Sequence, residues 1–193
     1  MKATFILLAL VLLFACTNNN ESDKTAKQPD ESSIKILDSV SRGRYLVTIM
    51  GCNDCHTPKI MTPKGPALDE KRLLSGYDNS RPFAGYDKAT ATSGAFAVMN
   101  GENTAYAGPW GISYASNLTS DASGIGNWSI DHFKLAMKSG KYKGLESSRD
   151  LLPPMPWQNY TNISDEDIEC IFAFLKSTTP VENIVPAPVP PAQ

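Results

Sequence analysis

Five consecutive residues, Cys52-Asn53-Asp54-Cys55-His56, bring two thiols and an imidazole together on this 193-residue chain. On a helical turn, side chains three apart are neighbours on one face. Both thiols therefore reach the same edge of a planar macrocycle, and the histidine that follows can face a metal at its centre. C-x-x-C-H is the pattern of covalent c-type haem attachment. Three blander chemistries use the same residues: a thiol–disulfide redox pair, half of a zinc site, or two small buried apolar side chains. A thioredoxin-like pair wants a strand before the motif, whereas a helical pattern leads into this one. A zinc site needs a second ligand pair, and Cys16, Cys170 and His132 are not paired at ligand spacing.

The second stretch with chemistry is Leu152-Pro153-Pro154-Met155-Pro156-Trp157. Proline fixes φ and removes an amide donor, so Pro154 and Pro156 hold Met155 on a stiff, extended backbone. A thioether held this way can face an iron with little entropy left to lose. Met50 and Met137 fall on apolar helix faces and read as core filler, while Met61 and Met99 lie in loops without such framing. His132 is the only other histidine. It lies off the apolar face of its helix, beside Asp131, and reads as an exposed helix residue.

Elements must position these groups. Residues 39–52 read as a first helix, with Val40, Gly43, Val47 and Met50 at helical spacing and Leu46 adjoining. Gly43 costs a helix about 1 kcal/mol against alanine, which points to a close crossing with another helix. Ser129 caps a second helix with an apolar stripe of Phe133, Ala136 and Met137. Ser164 caps the last helix, from 165 to about 177, with Asp165, Glu166 and Asp167 against the positive end of the dipole. Its stripe is Ile168, Ile171, Phe172 and Leu175, with Phe174 beside it and Cys170 off it, a structural or incidental thiol. Residues 76–121 form a long insert rich in Gly, Ala, Ser and Thr. Within it, 95–99, the Asn100-Gly101 turn and 104–107 predict a small hairpin.

The N-terminus reads as processing sequence. Residues 1–15 have a lysine followed by a short apolar run, too short to span a membrane comfortably. Leu13-Phe14-Ala15-Cys16 resembles a bacterial lipobox, which implies lipid on Cys16, a membrane anchor and a place in the bacterial envelope. Residues 16–33 are polar and read as a disordered tether. Residues 34–180 suit one domain, and 181–193 read as an extended, non-globular, proline-rich tail. The formal net charge is −2 and there is no basic stripe, so nucleic-acid binding is unsupported.

With Gly43 and Tyr45 on a helix before Cys52-x-x-Cys55-His56, Gly65-Pro66 after it, Pro154-Met155-Pro156 and Ile171-Phe172-Ala173-Phe174-Leu175-Lys176, the chain resembles class I cytochromes c. The resemblance implies an all-α, cytochrome c-like single domain whose first and last helices cross near one covalent haem c. Cys52 and Cys55 would carry the haem, with His56 and Met155 as axial ligands. The carbonyl of Pro66 would accept from the other nitrogen of His56. Leu73 to Gly76 would close one side of the pocket, and Trp128, Trp157 and Arg81 would bury or neutralise the propionates. The order of Asn117-Leu118-Thr119, Gly124-Ile125-Gly126-x-Trp128 and Ser164-Asp165-Glu166-Asp167-Ile168 is similar to bacterial cytochromes c associated with periplasmic dehydrogenases. Many of those carry two or three haem motifs, and this chain carries one. The function implied is single-electron transfer between redox partner proteins, a dehydrogenase or an oxidase, with no catalysis by this chain. The rival is a haem sensor or peroxidase-like enzyme with an open sixth site. A thiol–disulfide protein without haem is a third reading.

Overall fold

The computed structural model describes residues 31–83 and 85–191. The expected signal segment at 1–15, Cys16 and the tether up to residue 30 lie outside the described residues. The first helix, α1, runs Glu31–Ile49. It starts earlier than the apolar spacing predicts and takes in 31–33, the end of the expected tether. Its first three residues are polar, and Ile36 and Leu37 further along are exposed, so the start of the helix carries no buried stripe.

The last helix, α5 (Asp165–Lys176), crosses α1. Ser164 caps it, its hydroxyl accepting from the Asp167 amide at 3.1 Å. Leu46 and Val47 of α1 meet Ile168, Ile171, Phe174 and Leu175 of α5 in one buried cluster. Each such side chain contributes about 1.5–3 kcal/mol when fully buried. Gly43 sits at the crossing: a Cβ there would collide with the Cys170 carbonyl and lie 2.8 Å from Phe174 Cβ. Cys170 is itself buried in this cluster rather than set off to one side. Helix α4 (Ile130–Ser139) adds Phe133 and Met137. Among the described residues, no helix is long and apolar enough to cross a membrane.

The all-α expectation is overturned. Two antiparallel sheets accompany the helices. Strands β1 (Lys59–Thr62) and β2 (Gly65–Leu68) form a hairpin directly after the motif, with Met61 opposite Pro66. Within the insert, β3 (Val98–Met99), β4 (Ala105–Gly108) and β5 (Gly111–Tyr114) form a three-stranded sheet. The β3–β4 hairpin uses the Asn100-Gly101 turn, where the Asn100 side-chain oxygen accepts from the Thr104 and Ala105 amides. A short helix, α3 (Lys88–Thr92), lies between the two sheets in the chain. The fold is therefore mixed α and β.

The tail is extended but does not stand free. Val189 pairs with Ile112 of β5 through both backbone bonds, at 2.8 and 3.0 Å. Asn183 donates to the carbonyls of Ser75 and Tyr77, and Asn117 donates to Val181.

Helix propensity alone makes Gly43→Ala stabilising by about 1 kcal/mol. The packing reverses that sign, because overfilling a tight contact costs about 1–3 kcal/mol. Urea denaturation should show Gly43→Ala less stable than the parent by about 1 kcal/mol, the packing cost less the propensity gain. Gly101→Ala, with nothing within 4 Å of the added Cβ, should stay within about 0.5 kcal/mol.

Candidate functional site

The five motif residues form their own short helix, α2 (Cys52–His56), distinct from α1. Met50 and Gly51 separate the two, with Gly51 in the left-handed region at φ 71°. A helix this short leaves most of its carbonyls without internal partners. Lys59 reaches two of the helix carbonyls, its ammonium 3.2 Å from that of Asn53 and 2.6 Å from that of Asp54, and lies 2.6 Å from the Thr57 carbonyl just after the helix. Thr57 is fully buried. Its hydroxyl donates to the Asn53 side chain at 3.0 Å and accepts from the Leu74 amide at 2.9 Å.

His56 is half-buried, and its Nδ1 lies 2.7 Å from the Ser116 carbonyl. A carbonyl can only accept, so Nδ1 carries the proton and the Nε2 lone pair is free. Burial lowers the histidine pKa and the Ser116 contact acts the other way; the net shift is downward, toward the neutral imidazole that a metal requires. The His56 carbonyl accepts from the Gly76 amide at 2.8 Å. Gly76 has φ 79°, and a Cβ there would lie 2.5 Å from the Ala115 carbonyl. Only glycine lets 74–77 lie this close against 115–118. Two further bonds join the same strips, Tyr77 N–H to Ala115 at 2.9 Å and Leu118 N–H to Leu74 at 2.8 Å.

Cys52 and Cys55 are free thiols. Cys52 packs against the apolar core, and burial pushes its pKa up to about 11. The Cys55 sulfur lies 3.0 Å from the Tyr106 hydroxyl, which is also 2.7 and 2.8 Å from the carbonyl and side-chain oxygens of Asn103. Burial raises the Tyr106 pKa, with the sulfur adding to the effect, so the phenol stays protonated as a donor. Asn103 in turn donates to the Asp54 carbonyl at 2.8 Å.

Met155 is half-buried against the same core as Cys52, as are Met50, Leu73, Trp128 and Tyr160. The Pro153 carbonyl just before it accepts from the Ser113 hydroxyl at 2.5 Å, and that oxygen accepts from Trp110 Nε1 at 3.1 Å. Trp157 opens a short 3-10 turn, Trp157–Tyr160, and its ring packs on the Gly140 backbone.

Other expected residues lie elsewhere. Pro66 is on the exposed β1–β2 hairpin, and the carbonyl that accepts from His56 belongs to Ser116. Arg81 pairs with Asp78 and Glu102. Burial would raise the Asp78 pKa, but Arg72 and Ser80 outweigh it and hold the carboxyl down at about 2. The Arg81 charge is thus committed within the protein. His132 closes a capping box with Ser129 at the start of α4. Among the described residues, no three His, Cys, Asp or Glu side chains cluster as a metal site.

Sequence reasoning missed Ser116, Tyr106, Asn103 and Ser113. Ser116 acts through its carbonyl, which any residue possesses, so its side chain leaves no signal. Tyr106 is a buried tyrosine on a strand, and such a hydroxyl ordinarily needs a partner; that requirement was its only signal.

A pKa of about 11 leaves roughly one Cys52 thiolate in a thousand at pH 8, against about one in ten at the ordinary value of 9.0. Mass spectrometry of the haem-free chain with iodoacetamide at pH 8 should show Cys52 alkylated about 100-fold more slowly than in urea. The gap should close as the pH rises toward 11.

No family model matches the chain. Over 80 residues, 41% of this chain and 6% of the relative, it is 39% identical to a component of the nicotinate dehydrogenase of Pseudomonas putida. It is 28% identical over 190 residues to the fructose dehydrogenase cytochrome subunit of Gluconobacter japonicus, covering 96% of this chain and 29% of the relative. It is 29% identical over 144 residues to the gluconate 2-dehydrogenase cytochrome c subunit of Pantoea cypripedii, covering 74% of this chain and 24% of the relative. The chain spans less than a third of the length of these curated relatives, and across most of its own length it is similar to cytochrome c subunits of dehydrogenases.

Proposed function

We propose that this chain is a c-type cytochrome that carries single electrons to or from a dehydrogenase. The observation that carries the reading is the hydrogen bond of His56 Nδ1 to the Ser116 carbonyl. A ligating histidine characteristically donates its other ring N–H to such an acceptor, which fixes the tautomer and raises the basicity of the metal-bound nitrogen. The donor set fits haem c in other respects. The two thiols are unoxidised and one helical turn apart. Half-buried apolar side chains, Leu73, Leu118, Trp128, Tyr160 and Ile163, border the core alongside Cys52 and Met155. Apolar side chains of this kind suit the packing of a macrocycle.

Cys52 and Cys55 would hold the haem covalently, and His56 and Met155 would ligate its iron. When bound, the group supplies a one-electron ferric–ferrous couple whose potential a methionine ligand raises. The chain's own part is positional. Burial keeps His56 neutral, the Ser116 carbonyl orients its ring, and the prolines around Met155 limit its freedom. If His56 and Met155 both hold the iron, substrate would have no place on it, and the role would be that of a carrier rather than an enzyme. The similarity to dehydrogenase cytochrome subunits supports a dehydrogenase as redox partner. A lipid on Cys16 and the polar residues after it would tether the domain 34–180 to an envelope membrane, a reading supported by Leu13-Phe14-Ala15-Cys16.

Protein matured in a host that attaches c-type haem should show a covalent c-type spectrum with the far-red methionine–iron band. Carbon monoxide should leave the reduced spectrum unchanged. Met155→Ala should abolish the band and admit carbon monoxide. Rapid carbon monoxide binding by the parent would overturn the carrier reading, and a band that survives Met155→Ala would remove Met155 from the ligand set. Cys16→Ser should move the protein from the membrane to the soluble fraction.

A further inference from the structure

We propose that Ser113 is a positioning residue for Met155, and that 113–116 holds both axial side chains to one frame; this rests on the haem reading above. Ser113 is buried on β5, with 7% of its surface exposed. Its hydroxyl has one proton, and both contacts agree on where it points. Trp110 Nε1 can only donate, so the Ser113 oxygen accepts there at 3.1 Å and gives its own proton to the Pro153 carbonyl at 2.5 Å. Pro153 stands two residues before Met155. Prolines 153, 154 and 156 have no amide hydrogens, so this segment has few donors with which to tie itself to its surroundings. The Ser113 hydroxyl supplies that tie from the sheet.

Three residues further on, the Ser116 carbonyl accepts from His56 Nδ1 at 2.7 Å. Between them Ala115 is fixed on both sides, its amide donating to Thr104 at 2.8 Å and its carbonyl accepting from Tyr77 at 2.9 Å. Ser113 and Ser116 thus stand on one stretch of backbone that cannot shift at one end without the other. One end holds the proline–methionine segment and the other holds the histidine.

The test is made on the full, haem-loaded chain, with imidazole as the probe of the sixth site. Imidazole binding to the ferric form competes with the methionine, so its affinity reports how firmly Met155 is held. Loss of one neutral hydrogen bond should raise that affinity roughly threefold to tenfold in Ser113→Ala and weaken the far-red band. Ser113→Thr, which keeps the hydroxyl, should restore both. A serine that only stabilised the sheet would lower the melting temperature and leave the imidazole affinity alone. If Ser113→Ala does not load haem, Ser113→Cys keeps the volume and replaces a strong donor by a weak one. Tighter imidazole binding is expected there too, and parent-like affinity overturns the proposal. Absence of the far-red band from the parent removes the methionine reading and this inference with it. A band present in the parent, with an imidazole affinity that Ser113→Ala leaves unchanged, overturns the inference alone.

Discussion

The hydrogen bond between His56 and the Ser116 carbonyl joins two parts of the chain that are sixty residues apart. Helix α2 has five residues, too few to be stable alone, since helix nucleation is unfavourable and only longer runs repay it. Its geometry is imposed from outside. Thr57 ties it to Leu74, Gly76 to the strip at 115–118, Asn103 to the insert sheet, and Lys59 covers its carbonyls. The ring of His56 is oriented only because Ser116 is held where it is. The choice of tautomer, with the proton on Nδ1 and Nε2 left free, follows from that placement, while burial is what lowers the pKa.

Two kinds of cohesion meet at this joint. Helices α1, α4 and α5 are held by apolar burial around Val47, Ile168, Ile171 and Leu175. The insert holds itself largely by side chains bonded to backbone. Thr104 and Thr119 are fully buried and Asn117 nearly so, and each has partners. Such bonds add only about 1 kcal/mol each, yet leaving a buried partner unsatisfied costs about 1–3 kcal/mol. They therefore specify a geometry more than they stabilise it. A region that must place a carbonyl against a histidine and a hydroxyl against a proline is well served by directional contacts.

This difference explains what the sequence disclosed. Helices α4 and α5 were legible because apolar residues recur at helical spacing after a capping serine. Gly43 was legible because glycine inside a helix needs a reason, and the α5 backbone is that reason. The motif and the proline-framed Met155 stood out as candidate chemistry by residue type and spacing. Of the strands, the β3–β4 hairpin was legible from the Asn100-Gly101 turn, whereas β1, β2 and β5 were not: short segments holding Gly65, Pro66 and Gly111 carry no alternating pattern, so the fold looked all-α. Resemblance assigned the histidine contact to the Pro66 carbonyl, whereas the acceptor is the Ser116 carbonyl, and neither backbone group has a side-chain signature. The start of α1 was missed because its first turns bury no apolar stripe.

The proline-rich tail has a composition that suits the place it occupies. In the insert sheet β5 lies at the edge, next to β4 alone. An open edge is a template for pairing with other chains. The tail covers it through Val189, whose amide and carbonyl both bond Ile112. Its neighbours Pro188 and Pro190 have no amide hydrogen to donate, so the pairing stops after one residue and the tail cannot act as a new strand edge. Asn183 fastens the same tail to Ser75 and Tyr77, beside Gly76 and its bond to His56. The strand that carries Ser113 and leads to Ser116 is therefore closed on both sides, by β4 and by the tail. Proline, which ordinarily argues against a sheet, here caps one at the point where the placement of both proposed ligands depends on it.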